Sequence, residues 1–168
     1  MGKGTKHASD WKMTTLKVAI DARRLYCHSV KIMSNEKVFK PSNDFRGATL
    51  MTIHELLLDV YIKTWEANRI NAVRHPESAA ERLALQRVAI ASCHRLLALF
   101  ELVKSQFHIE SGKFWNWMNM LYDVGNEIAA WHKSDTERFS SKEDFGGNAG
   151  NGSRLNSPGL RQREAAVG

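Results

Sequence analysis

The side chains in this sequence best able to do chemistry are its histidines, cysteines, acids at helical spacing and arginines. Two Cys-His dipeptides, Cys27-His28 and Cys93-His94, offer metal-ligand types. Structural zinc needs four side chains converging on one point. Adjacent residues of a helix point about 100° apart, so neither dipeptide closes a site, and no metal or cofactor is expected. The thiols read instead as small core residues beside exposed histidines. Arg23 and His28 form an Arg-x4-His pair, in which the imidazole is able to move a proton near neutral pH. Glu55, Asp59 and Glu66 would supply part of a di-iron carboxylate site. The Glu-x-x-His pairs that such sites require are absent, the nearest sequence being His54-Glu55. These acids read as a solvated helix face.

The arginines carry more information. A guanidinium donates two parallel hydrogen bonds and so suits phosphate. Arg23, Arg24 and Lys31 fall in one helical stretch, and Arg82, Arg87 and Arg95 in another; these six are the candidate nucleic-acid contacts. Arg95 interrupts an apolar surface at His94-Arg95-Leu96-Leu97. An arginine there requires an acid beside it, such as Glu66, or an oligomer cleft, or an anion. The clustered glycines Gly146, Gly147, Gly150 and Gly152 have no strand before them and no helix after, so they do not form a phosphate-binding loop. Neither a nucleophile elbow nor a zinc-protease motif is present.

The elements that must position these residues read as helices. From Phe45 to Asn71, Leu50, Ile53, Leu57, Val60, Thr64 and Ala67 recur at alternating three and four, which predicts one buried stripe on a rod about 40 Å long. Leu56, Tyr61 and Trp65 widen it, so more than one neighbour must cover it. A first helix is predicted from Thr14 to Ser34, with Leu16, Ile20, Arg23, Cys27 and Val30 as its seam. A third is predicted from Glu77 or Ser78 to Phe107, with Leu85, Ala89, Ser92, Leu96, Leu99 and Val103 as its stripe. Its second half is apolar nearly all round. A fourth is predicted from Lys113 to Lys133 on Phe114, Trp117, Leu121, Val124, Ile128 and Trp131. Pro41 and Pro76 punctuate the connections. Nothing reads as a strand. The fold expected is all-α, an up-down-up-down antiparallel four-helix bundle over residues 13–133. Residues 1–12 are expected to form a flexible basic arm. Residues 134–168, rich in Ser, Gly, Asn and Arg, are expected to be disordered.

The whole chain carries +6. Three lysines against Asp10 give the first twelve residues +2, and five bases balance five acids over the last thirty-five, leaving +4 on the helical segment. That modest balance suits an anionic partner and equally suits plain solubility. The basic start lacks the apolar core of a secretory signal, and Lys6 stands where N-myristoylation wants Ser or Thr. No apolar run approaches about 20 residues, so neither a membrane span nor a membrane partner is expected. Free thiols in a reducing cytoplasm follow from these expectations. Five tryptophans exceed what one bundle seam needs and point to subunit contacts.

With the helices placed, residues 14–133 resemble a family of small four-helix-bundle proteins. It includes the accessory variability determinant (Avd) of diversity-generating retroelements and the proteins encoded within 23S rRNA intervening sequences. The resemblance rests on Phe39 and Pro41 before the second helix, then Arg46, Thr49-Leu50, Glu55-Leu56-Leu57-Leu58-Asp59 and Glu66-Ala67-Asn68. It continues in His94-Arg95-Leu96-Leu97 and in Val124-Gly125-Asn126-Glu127-Ile128-Ala129-Ala130-Trp131-His132-Lys133. The chain departs by one extra residue between Arg46 and Thr49, and by Leu99 where some members carry a second arginine. The resemblance implies no enzyme. It implies a basic homo-oligomer, a pentamer in Avd proteins, that associates with a reverse transcriptase and template-repeat RNA in mutagenic cDNA synthesis. An intervening-sequence-type interaction bundle with no polymerase is the alternative. Arg23 and His28 separately resemble the Arg-x4-His motif of HEPN-type ribonucleases, although that family carries it on a late helix.

Overall fold

The computed structural model describes residues 16–39 and 44–146, with side chains described within 16–39 and 46–140. The described residues form four α-helices and no strand: α1 (Lys17–Met33), α2 (Asp44–Arg69), α3 (Ala79–Gln106) and α4 (Ser111–Gly146), with a single 3-10 turn at Pro76–Ser78. The protein is all-α, as its periodicity predicts.

The stripe on α2 forms from Ile53 onward, whereas Leu50 and Tyr61 are half-buried and Trp65 is exposed. Ile53, Leu57, Val60, Thr64 and Ala67 are fully buried, and Leu56 widens the contact. α2 packs on α3, α3 on α4, and α1 on both α2 and α4. The core centres on Phe100 of α3 and Trp117 of α4, both wholly buried, with ring centroids 4.0 Å apart. A buried indole N–H requires an acceptor. Trp117 Nε1–H donates to Ser29 Oγ of α1 at 2.6 Å, and Ser29 is itself buried. Toward the other end of α1, Lys17 pairs with Glu127 of α4. Phe39, from the α1–α2 connection, packs on Phe107, from the α3–α4 connection, at 4.8 Å. Gly125 of α4 lies against Cys93 of α3, close enough that a Cβ there would sit 3.6 Å from the Cys93 Cβ.

Two expectations need correcting. The seam of α1 is out of phase with the one read from the sequence. Val18, Ala22, Leu25 and Ser29 are buried, whereas Arg23 and Cys27 are exposed. The stripe that turns inward is the one free of charge, since a buried arginine without an acid is too costly. Second, α4 does not stop at Lys133 but continues to Gly146, so residues 134–146 are helical, not disordered. Asp135 and Phe139 are buried and carry the Ile128 side of the helix onward at the same three-to-four spacing. Among the described residues, α3 taken with its leading turn as Pro76–Gln106 has the length and apolar composition that a membrane span and the core helix of a bundle share, and 33% of its most apolar stretch is buried here. The arm at 1–12 and the tail from 147 lie outside the described residues.

Candidate nucleic-acid interface

The six candidate contacts sit on two helices that are not principal packing neighbours, since α1 packs on α2 and α4 whereas α3 packs on α2 and α4. They therefore do not converge on one surface. On α1, Arg23, Arg24 and Lys31 are exposed. Arg24 pairs with Asp21 at 2.9 Å, and Lys17 reaches the other oxygen of the same carboxylate at 2.8 Å. The hydrogen bond from Lys17, joined by that from Arg24, holds the Asp21 carboxyl below its usual range. Arg23 makes no hydrogen bond or ion pair with another described residue.

On α3 the three arginines have separate fates. Arg82 turns inward. Its Nε donates to Asp135 at 2.7 Å and one terminal nitrogen donates to the Ile70 carbonyl at 2.8 Å, while the guanidinium lies over Trp131 at 4.9 Å from the ring centroid. Asp135 also accepts from Gln86 at 2.8 Å, and the Gln86 carbonyl lies 3.1 Å from His132 Nδ1. Asp135 is 1% exposed, so this is an interior polar knot joining the end of α2, the start of α3 and the late part of α4. Arg82 is thus tied into the interior, with two of its five N–H donors already committed. Arg87 and Arg95 are exposed and make no ion pair with a described residue; in particular, Arg95 does not pair with Glu66, which is held by Lys63 at 2.8 Å.

Arg95 instead stands in a second stripe on the outside of α3. Val88, Ala91, Arg95, Ala98 and Leu102 recur at alternating three and four, and all five are exposed. Such spacing places them on one face of the helix. Attention to the core stripe hides this one in the sequence, although the all-round apolar character of the segment is its signal. Other residues fall outside the expected site too. Tyr26, His54 and Tyr61 meet between α1 and α2, with Tyr26 Oη 3.1 Å from His54 Nε2 and the two tyrosine rings 6.1 Å apart at 26°. Trp65, one turn beyond Tyr61, carries the Arg69 guanidinium 4.7 Å from its centroid.

The remaining candidates dissolve on the same terms. Arg23 and His28 are five residues apart, about 140° round the helix; Arg23 is exposed, and His28 Nε2 is enclosed without a hydrogen-bond partner. Cys93 is buried beside an exposed His94, as expected, but Cys27 is exposed beside a half-buried His28, the reverse of the expectation. No group of three metal-ligating side chains occurs among the described residues. The α2 acids are mixed: Glu55 is exposed, whereas Asp59 and Glu66 are half-buried. A hydrogen bond from Lys63 to Glu66 raises the ammonium above its usual range. No family model, curated protein or solved structure matches the chain.

Proposed function

We propose that this chain is a non-catalytic, oligomeric RNA-binding bundle of the Avd type, an accessory subunit that holds template-repeat RNA and docks a reverse transcriptase in the cytoplasm, with no membrane partner. The observation that carries the reading is Arg95, a cation without an intramolecular acid, set in the middle of an exposed apolar stripe. Exposed, it is hydrated at little cost, but a guanidinium ringed by exposed apolar side chains marks a surface that another subunit or an anion is able to complete. The sequence resemblance names a family in which both occur.

An up-down-up-down antiparallel order supports the reading, and we infer it from paired contacts. Ser29 late in α1 meets Trp117 early in α4, while Lys17 early in α1 meets Glu127 further along α4. Arg82 at the start of α3 meets Asp135 late in α4, whereas Phe100 late in α3 meets Trp117. Arg46 near the start of α2 lies over Phe107, just past the end of α3.

A gel shift against template-repeat RNA over a salt series tests the proposal. Phosphate contacts release counterions, so affinity should fall steeply with salt. Replacing Arg87 and Arg95 together with alanine should weaken binding and flatten the salt dependence by about two phosphate contacts. A chain that binds no RNA at low salt, alone or with the polymerase, overturns the RNA part. Unchanged affinity in the double variant removes α3 from the RNA site.

A further inference from the structure

We infer that the edge between α1 and α2 is a stacking platform for unpaired bases of a single-stranded nucleic acid. The inference rests on the nucleic-acid reading of the chain but places the base contacts on a surface that reading does not use. Its parts are Tyr26 of α1 and His54, Tyr61 and Trp65 of α2. His54, Tyr61 and Trp65 are spaced by seven and four, so they share one edge of the helix. Tyr26 ties into that edge through its 3.1 Å approach to His54 and its near-parallel packing on Tyr61. The first three rings are half-buried and Trp65 is 36% exposed. Each ring is thus held in place by its neighbours while part of its surface stays open.

Charge selects the occupant. The acids of α2, Glu55, Asp59 and Glu66, lie roughly 80–160° round the helix from the aromatic edge, so they do not repel a strand lying there. Arg23, one turn before Tyr26, is exposed and uncommitted among the described residues, which gives a phosphate contact beside the rings. The Arg69 guanidinium over Trp65 extends the stack with a cationic plane, a surface on which bases also lie. Aromatic rings interleaved with arginine read unpaired bases, whose faces a duplex hides. A purely apolar docking face would not need the arginines.

The test is fluorescence anisotropy of a short labelled oligoadenylate with the whole chain over a salt series, with duplex RNA of the same length as competitor. Trp65→Ala should weaken oligoadenylate binding about tenfold, the effect of losing one stacked base, with the salt dependence unchanged. Trp65→Phe should retain most of the affinity. Arg23→Ala should weaken binding and flatten the salt dependence by about one phosphate. Trp65 sits at the rim, so an unchanged thermal melt separates these effects from unfolding. If template RNA binds but Trp65→Ala changes nothing, or if duplex competes as well as single strand, the platform is overturned while the nucleic-acid reading stands. If Trp65→Ala instead abolishes polymerase association and leaves the oligonucleotide affinity untouched, the face is a protein-docking surface and the platform is again overturned. If the unaltered chain binds neither RNA, both readings fall together.

Discussion

At the scale of single residues, the two thiols are chemically unlike. Cys27 is exposed on α1, whereas Cys93 is buried between α3 and α4, where burial pushes its thiol up from the ordinary 9.0 to about 12. The thiolate is the reactive form. At mildly alkaline pH, iodoacetamide should therefore label the exposed Cys27 and leave the buried Cys93 unlabelled until the chain unfolds; mass spectrometry of the alkylated protein reads this directly. The same shift bears on stability. Above pH 9.0 the unfolded chain releases the Cys93 proton while the folded chain keeps it, so this group's contribution is fully present below that pH and is lost as pH rises toward about 12. A Cys93→Ser or Cys93→Ala comparison of denaturant midpoints across that window isolates the term. The sequence makes the helical setting of both cysteines legible but not their phase on α1. The buried spacing Val18, Ala22, Leu25 and Ser29 runs two positions later than the expected one, and the preference of Arg23 for water separates the two.

At the scale of elements, α2 was the most legible part, because its six-residue stripe contains no charge and permits one phase. α4 was not. Beyond Lys133 its seam passes through Asp135, and an aspartate at a core position looks like the end of a buried face. What makes it internal lies far away in sequence: Arg82 and Gln86 of α3 both donate to one of its oxygens. The knot is therefore what docks the last turns of α4. Removing one partner of a buried ion pair leaves the other desolvated and unpaired, at a cost of about 3–5 kcal/mol. Asp135→Ala should lower the unfolding free energy by roughly 3 kcal/mol, measured by urea denaturation. Arg138 touches the same carboxylate only at 3.5 Å and is itself half exposed, so Arg138→Ala should change stability by less than about 0.5 kcal/mol. Equal midpoints for the unaltered chain and Asp135→Ala would mean that the extension of α4 contributes nothing to the bundle.

At the scale of the whole molecule, the four helices use their inner faces on one another, and α3 is left with an apolar face outward. Val88 and Leu102 remain 44% and 48% exposed, with Ala91 and Ala98 between them, small enough for another helix to approach closely. Such an exposed apolar face at three-to-four spacing is what the proposed assembly would cover. Arg95 at its centre fits an assembly in which a neighbouring subunit or a bound anion supplies the charge that this bundle does not. Replacing Val88 and Leu102 together with glutamate tests this without touching the core. Both side chains point outward, so the fold should lose little, of the order of 0.5 kcal/mol or less per site. An apolar subunit contact, by contrast, does not tolerate two buried, unpaired carboxylates per copy. Light scattering should report an oligomer for the unaltered chain and the 19.0 kDa monomer for the double variant, with matching circular dichroism spectra. An unaltered chain that is already a monomer at micromolar concentration would remove the assembly from the proposal. Arg95 would then have to be explained by an anion alone, and the gel shift of the Arg87 and Arg95 double variant would decide whether that anion is RNA.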